Sequence, residues 1–238
     1  SGFTIVELLV TIAIIALLFA LLAPTLARTM RSARGFKCQM AQRSVAFDFL
    51  LFVDDQFPGG RGNDEQLEGG RFRLETFQEA QYRVDEFWAW GDAATKSLPD
   101  AAGNDPLRCP EVHGEVMLVR GTSCSRGAVM PAANVSFTFN MRLHLNEKYD
   151  AQGRLRAMPV YLTEHVGDAS NTPLMWDVDG PTAAARGASP TFSAPALDSV
   201  SLYAGDRYWF PAARHNGAGN YVFIDGHVES SNRPLRET

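Results

Sequence analysis

Apolar positions divide the chain into three stretches. From Phe3 to Ala23 it reads FTIVELLVTIAIIALLFALLA, apolar except for two threonines and one carboxylate, Glu7. About 20 apolar residues at helical rise cross a bilayer core, so this run predicts a transmembrane helix. It exceeds the h-region of an ordinary signal peptide, no basic n-region precedes it, and a carboxylate stands near its start. Under that alternative, Thr25 and Ala27 would supply the small residues before a cleavage site. Pro24 predicts a kink rather than a stop. Helical spacing resumes at Ala41, Val45, Phe49, Phe52 and Val53, with Arg28, Arg31, Arg34, Arg43 and Asp48 at other positions. Pro58-Gly59-Gly60 ends the pattern. A helix from Phe3 to Val53 would be about 75 Å long.

The second stretch is polar and then helical. Gly59 to Gly70 is rich in glycine and charge and predicts a loop. Thr76-x-x-Glu79 has the form of a capping box, and Phe77, Ala80, Val84, Phe87 and Trp88 follow at helical spacing, which predicts a helix from about Thr76 to Trp90 with an aromatic core face. After Pro106 the texture is β. Glu115–Arg120, Asn134–Phe139, Met158–His165 and Thr172–Val178 are short strand-like runs between turn signals. Pro181 to Ser199, rich in Ala, Pro and Ser, predicts a long surface loop. Asp225-Gly226 between apolar alternating runs predicts a hairpin. The fold class is therefore α+β, a long N-terminal helix packed on a mostly antiparallel head. Three segments follow: residues 1–27 as the membrane helix, 28–57 as its amphipathic continuation, and 58–238 as the globular head.

Composition adds limits. The 238 residues carry a formal net charge of −5, which gives no electrostatic basis for nucleic-acid binding. Three cysteines, Cys38, Cys109 and Cys124, are too few for a disulfide scaffold. Outside the cytoplasm they allow one pair. Cys109 with Cys124 is the nearer pair in sequence, Cys38 with Cys109 is also open, and three buried thiols is the third reading. Without a C-x-x-C pair, a zinc site of the usual spacing is not expected. His215, Asp225 and His227 lie close in sequence, and Asp177 and Asp179 form a D-x-D-G stretch. A cation could use such ligands. The preferred reading is structural: Asp225 shapes a turn and His215 hydrogen-bonds to it, bracing the hairpin. No G-x-S-x-G, H-E-x-x-H or P-loop pattern occurs. No enzymatic activity and no cofactor are expected.

Glu7 is the sharpest anomaly. A carboxylate costs on the order of 2.5–3.5 kcal/mol near the centre of a membrane helix, less toward an interface. Gly2-Phe3-Thr4-Ile5-Val6-Glu7 resembles the processing site of type IV prepilins and type II secretion pseudopilins, in which a glycine precedes the cut bond, an apolar aromatic follows, and a glutamate stands four positions after that aromatic. The resemblance covers roughly the first 30 residues. It implies cleavage between Gly2 and Phe3 by a prepilin peptidase, N-methylation of Phe3, and pairing of Glu7 with the Phe3 amine of an adjacent subunit. A buried carboxylate is tolerable when an ammonium faces it, and such a pair would set the stagger between subunits. Precursors of the family carry a short basic leader, implied here ahead of Ser1. Arg28, Arg31, Arg34 and Lys37 alone would place their side in the cytoplasm. The resemblance implies the opposite orientation, with the leader supplying the competing charge.

A second resemblance lies near the C-terminus. His215, nine residues, then Asp225-Gly226 is similar to the H-x9-DG signature of a set of prepilin-type proteins. Cys38 within a helix, Arg108-Cys109-Pro110 and Val135-Ser-Phe-Thr-Phe-Asn140 fit the same set. This resemblance supplies no chemistry; pseudopilin heads that hold calcium in loops make that ion the alternative to hairpin bracing. The expected function is a structural pilin-like subunit. It would be anchored in the inner membrane with its head outside the cytoplasm, and would assemble with identical or related subunits into a filament. Its expected partners are the prepilin peptidase, those subunits and the inner membrane. The alternative is a membrane-tethered binding module for glycan or metal that does not polymerise, with Trp176, Trp209 and Tyr208 on its surface. A hydrolase using His215 and Asp225 is a third.

Overall fold

A computed structural model describes residues 2, 4–53, 74–83, 94–98, 107–120, 128–143, 145–159, 168–195 and 205–234. Helix α1 (Ile5–Val53) is one continuous element of 49 residues that carries Pro24 in its interior, about 74 Å long at 1.5 Å per residue. A proline lacks the N–H that would bond four residues back, yet the helix runs through it. Among the described residues this is the one helix long and apolar enough to cross a membrane. Its first half stands clear of the head: large side chains from Ile5 through Leu26 are exposed all round.

The second half of α1 is two-faced. Cys38, Gln42, Val45, Ala46 and Phe49 are buried, at the i, i+4, i+7, i+8, i+11 spacing of one helical face. They lie against the central sheet, α1 crossing β9 with further contact to β7 and β10. That five-stranded sheet has the order β10-β9-β7-β4-β8, formed by β4 (Phe137–Asn140), β7 (Pro173–Asp177), β8 (Phe192–Ser193), β9 (Gly219–Phe223) and β10 (Val228–Ser231). Its pairings are antiparallel except β4 with β8. A smaller sheet joins β1 (Thr95–Ser97), β2 (Met117–Val119) and β3 (Val129–Met130), and β5 (Leu145–Tyr149) pairs with β6 (Leu155–Pro159). The coarse expectation of a long apolar helix with an α+β, mostly antiparallel head therefore holds.

Aromatic rings join the layers. Phe77, on α2 (Leu74–Gln81), meets Phe49 at 5.1 Å, Phe52 at 5.5 Å and Phe139 at 6.0 Å between centroids, all edge-on, the geometry that aromatic quadrupoles favour. Three expectations need correction. Helix α2 starts at Leu74, so Thr76 lies inside it and cannot be its N-cap. The helix also stops at Gln81, and Arg83 has a left-handed φ of +56°; residues 84–93 lie outside the described set. Of the strand expected over 158–165, Met158 and Pro159 belong to β6 (Leu155–Pro159) and 160–165 lie outside the described set. The expected loop over 181–199 contains a short helix, α3 (Gly180–Ala185), and then β8. Helix α3 forms because the Asp179 side chain caps it, accepting from Thr182 N at 3.1 Å and Thr182 Oγ1 at 2.8 Å, with Pro181 in the first turn. Gly180 is required there: a Cβ would run into the carbonyl oxygen of Ala132.

Candidate functional site

At the N-terminus, Gly2 is exposed and Phe3 lies outside the described residues. Glu7 occupies the third position of α1. Its Oε2 accepts from Thr4 N and from Thr4 Oγ1, each at 2.8 Å, while Glu7 N donates back to Thr4 Oγ1 at 3.3 Å. This reciprocal arrangement is a capping box. The motif Thr4-x-x-Glu7 was legible in the sequence, and it gives Glu7 a partner within its own chain.

The head holds a second concentration of polar groups, at the seam between α1 and the sheet. Cys38, Cys109, Asp177 and His215 bring their sulfur, carboxylate and imidazole atoms within 4.8 Å of one another. Four separate segments deliver them. Cys38 comes from the buried face of α1, and Asp177 from the end of β7. Cys109 sits in the turn that follows Leu107, its N–H donating to Ser136 Oγ at 3.0 Å. His215 comes from a tight turn, His215-Asn216-Gly217-Ala218, in which residues 215 and 218 exchange backbone bonds of 2.9 and 3.1 Å. Asn216 (φ +56°) and Gly217 (φ +84°) are both left-handed, as an Asn-Gly two-residue turn requires.

Asp177 is the hub and is fully buried. Its Oδ1 receives Gln42 Nε2 at 3.2 Å and the Cys38 thiol at 3.4 Å, with Arg214 Nη1 at 3.6 Å. Its Oδ2 receives Asn220 N at 2.8 Å and faces His215 Nε2 at 3.5 Å. Burial pushes the Asp177 carboxyl up to about 6, against the pull of Arg214. His215 Nε2 also lies 3.5 Å from Cys109 Sγ. Hydrogen bonding from Cys38, and then from His215, draws the Cys109 thiol below its ordinary range. The bond to Cys109, and then the charge of Asp177, raise His215 against the effect of burial. Helix α1 passes this ring at Gly35, where an added Cβ would stand at an ordinary contact distance of 3.5 Å from His215 Nδ1.

Comparison with family models, curated proteins and solved structures returns no match for this chain. The geometry therefore stands on its own.

His215 does not brace the Asp225 turn; its imidazole faces Asp177 and Cys109 instead. The β9–β10 hairpin does form. Asp225 is held within it by His227, whose N donates to Asp225 Oδ1 at 3.1 Å and whose Nδ1 lies 2.6 Å from the same oxygen. Gly226 takes φ +88°, and Phe223 N bonds His227 O at 3.0 Å, so the loop is three residues long. The D-x-D-G stretch is divided too: Asp177 enters the cluster and Asp179 caps α3. Cys109 stands beside Cys38; Cys124 lies outside the described residues.

On the other side of the sheet a cleft of about 470 Å³ is lined by Asn140, Arg142, Trp176, Trp209, Tyr221 and His227 among others. Trp176, expected on the surface, is instead buried, because it packs between its aromatic neighbours: it meets Trp209 at 5.5 Å and stacks on Tyr221 at 6.1 Å. Tyr208 is not among the residues that line this cleft; Arg207 lies over its ring at 5.3 Å.

Proposed function

We propose that this chain is a pilin-like structural subunit, anchored in the inner membrane by the first half of α1 and polymerising through that helix. The carrying observation is the outer surface of α1. Beyond the fully exposed apolar segment, Phe36, Met40, Phe47 and Leu50 remain exposed. At 100° per residue they form a stripe roughly opposite the face the head buries, interrupted by Arg43. A helix with one apolar face on its own head and another facing outward suits packing against neighbouring helices. The processing motif Gly2-Phe3 and the carboxylate at position 7 support the same reading, with the prepilin peptidase and related subunits as partners.

The capping box supplies a sharp test. Glutamine also serves at the third position of such a box but carries no charge. On this reading Glu7→Gln inserts and folds normally yet fails to form filaments, because the ammonium of the neighbouring Phe3 has lost its counter-charge. The measurement is the fraction of subunit recovered in sheared or cross-linked filaments. Normal assembly by Glu7→Gln would reduce Glu7 to a helix cap and remove the charge-pairing reading.

A second reading, a tethered binding head, is favoured by the aromatic cleft, where the Trp176 indole nitrogen is buried without a hydrogen-bond partner. Aromatic walls with a few polar groups suit a sugar ring. Ligand binding that persists in assembly-deficient Glu7→Gln would support this reading.

A further inference from the structure

We propose that Cys38, Cys109, Asp177 and His215 form a structural zinc site that fastens the anchoring helix to the head. Tetrahedral zinc, with bonds of about 2.3 Å to sulfur and about 2.0–2.2 Å to nitrogen and oxygen, sets ligand-to-ligand edges of about 3.3–3.8 Å, the longest between the two sulfurs. The donor atoms, one from each residue, all lie within 4.8 Å of one another, and two edges at His215 Nε2 are 3.5 Å, to Cys109 Sγ and to Asp177 Oδ2; the Cys38 thiol meets the other carboxylate oxygen, Oδ1, at 3.4 Å. Two thiolates, an imidazole and a carboxylate suit Zn²⁺ better than a hard cation such as calcium. Four protein ligands in a buried setting make a closed site, which is the structural kind.

The surroundings fit a metal's outer shell. Gln42 Nε2 and Asn220 N hold the carboxylate from outside. Charge balances as well. Zinc holds both cysteines as thiolates and His215 as a neutral imidazole, so taking up one Zn²⁺ displaces two protons in all and leaves the net charge of the site unchanged, with Arg214 still facing Asp177.

Two other uses of the cluster fit less well. A Cys–His–Asp catalytic relay needs the nucleophile at one ring nitrogen and the carboxylate at the other. Here both face Nε2, and Cys109 is 1% exposed. A Cys38–Cys109 disulfide would engage the two sulfurs but gives no reason for a carboxylate and an imidazole to converge on them. The sequence hid the site because its ligands are spread from position 38 to position 215, with no local spacing to recognise.

The test uses the full chain extracted from membranes in detergent. Zinc is quantified by elemental analysis, thiols by intact mass after alkylation, and the site by replacing zinc with Co²⁺ and recording the absorption spectrum. The expected result is about one zinc per chain, no disulfide, and a Co²⁺ spectrum with sulfur-to-metal charge-transfer and tetrahedral d–d bands. His215→Ala should release the metal far more readily to a chelator. The cobalt spectrum of the unaltered protein keeps the test valid where a variant fails to fold. A Cys38–Cys109 disulfide, or reduced protein that takes up neither zinc nor cobalt with thiolate bands, overturns the proposal.

Discussion

At the scale of single residues, the sharpest outcomes concern carboxylates whose partners the sequence does not name. Glu7 stands out as a charge in an apolar run, yet in the chain it first serves as a helix cap for Thr4. Asp177 looks unremarkable in a D-x-D-G stretch, yet it is the most heavily engaged side chain at the α1–sheet seam. Removing it leaves Arg214, 16% exposed at its side chain, facing a space with no counter-charge. Breaking a buried pair by deleting one partner destabilises by about 3–5 kcal/mol. Asp177→Ala is therefore expected to lower head stability by about that amount, read as a shift in the denaturant midpoint of the full chain. A loss below about 1 kcal/mol would mean that water or rearrangement satisfies Arg214.

At the scale of elements, α1 carries two apolar faces with different duties. The face of Cys38, Val45, Ala46 and Phe49 belongs to the head's own core. The face of Phe36, Met40 and Phe47 touches solvent in the isolated chain. A charge placed on the outward face should spare the fold and harm assembly. Phe36→Glu and Phe47→Lys are expected to keep the unfolding midpoint within about 0.5 kcal/mol of the parent, as exposed substitutions do. Filament yield in cells should fall severalfold. Unchanged yield in both variants would mean that the outward stripe makes no contact between subunits. The two hairpin-type turns offer a contrast. Asp225-Gly226 was evident as a turn, but its loop is three residues long and its aspartate bonds His227. Asn216-Gly217 is the two-residue turn, and it is the one that aims His215 into the cluster.

At the scale of the molecule, the part of α1 that is buried against the head, among the described residues, lies in the second half of the helix. Among the described residues, core positions on α1 begin at Cys38. A chain beginning at Arg28 should therefore fold with the cooperativity of the full protein, and one beginning at Val53 should not. The measurement is thermal unfolding by near-ultraviolet circular dichroism. A head that folds without residues 28–52 would show that α1 is a tether and not part of the core.

The long helix, its apolar first half, the β texture after Pro106 and the Asp-Gly hairpin were all legible in the chain. Each depends on periodicity or turn chemistry among residues near one another in sequence. The limits of α2 and the presence of α3 were not, because an aromatic stripe masked a helix end and a loop-like composition masked an aspartate cap followed by a proline. The buried cluster could not be read at all. Cys38, Cys109, Asp177 and His215 acquire a common chemistry only when α1 is laid across β9 and β7, and contacts between distant segments leave no spacing in a single sequence. Local rules set what each segment becomes. Which side chains share a buried space follows from how the layers stack.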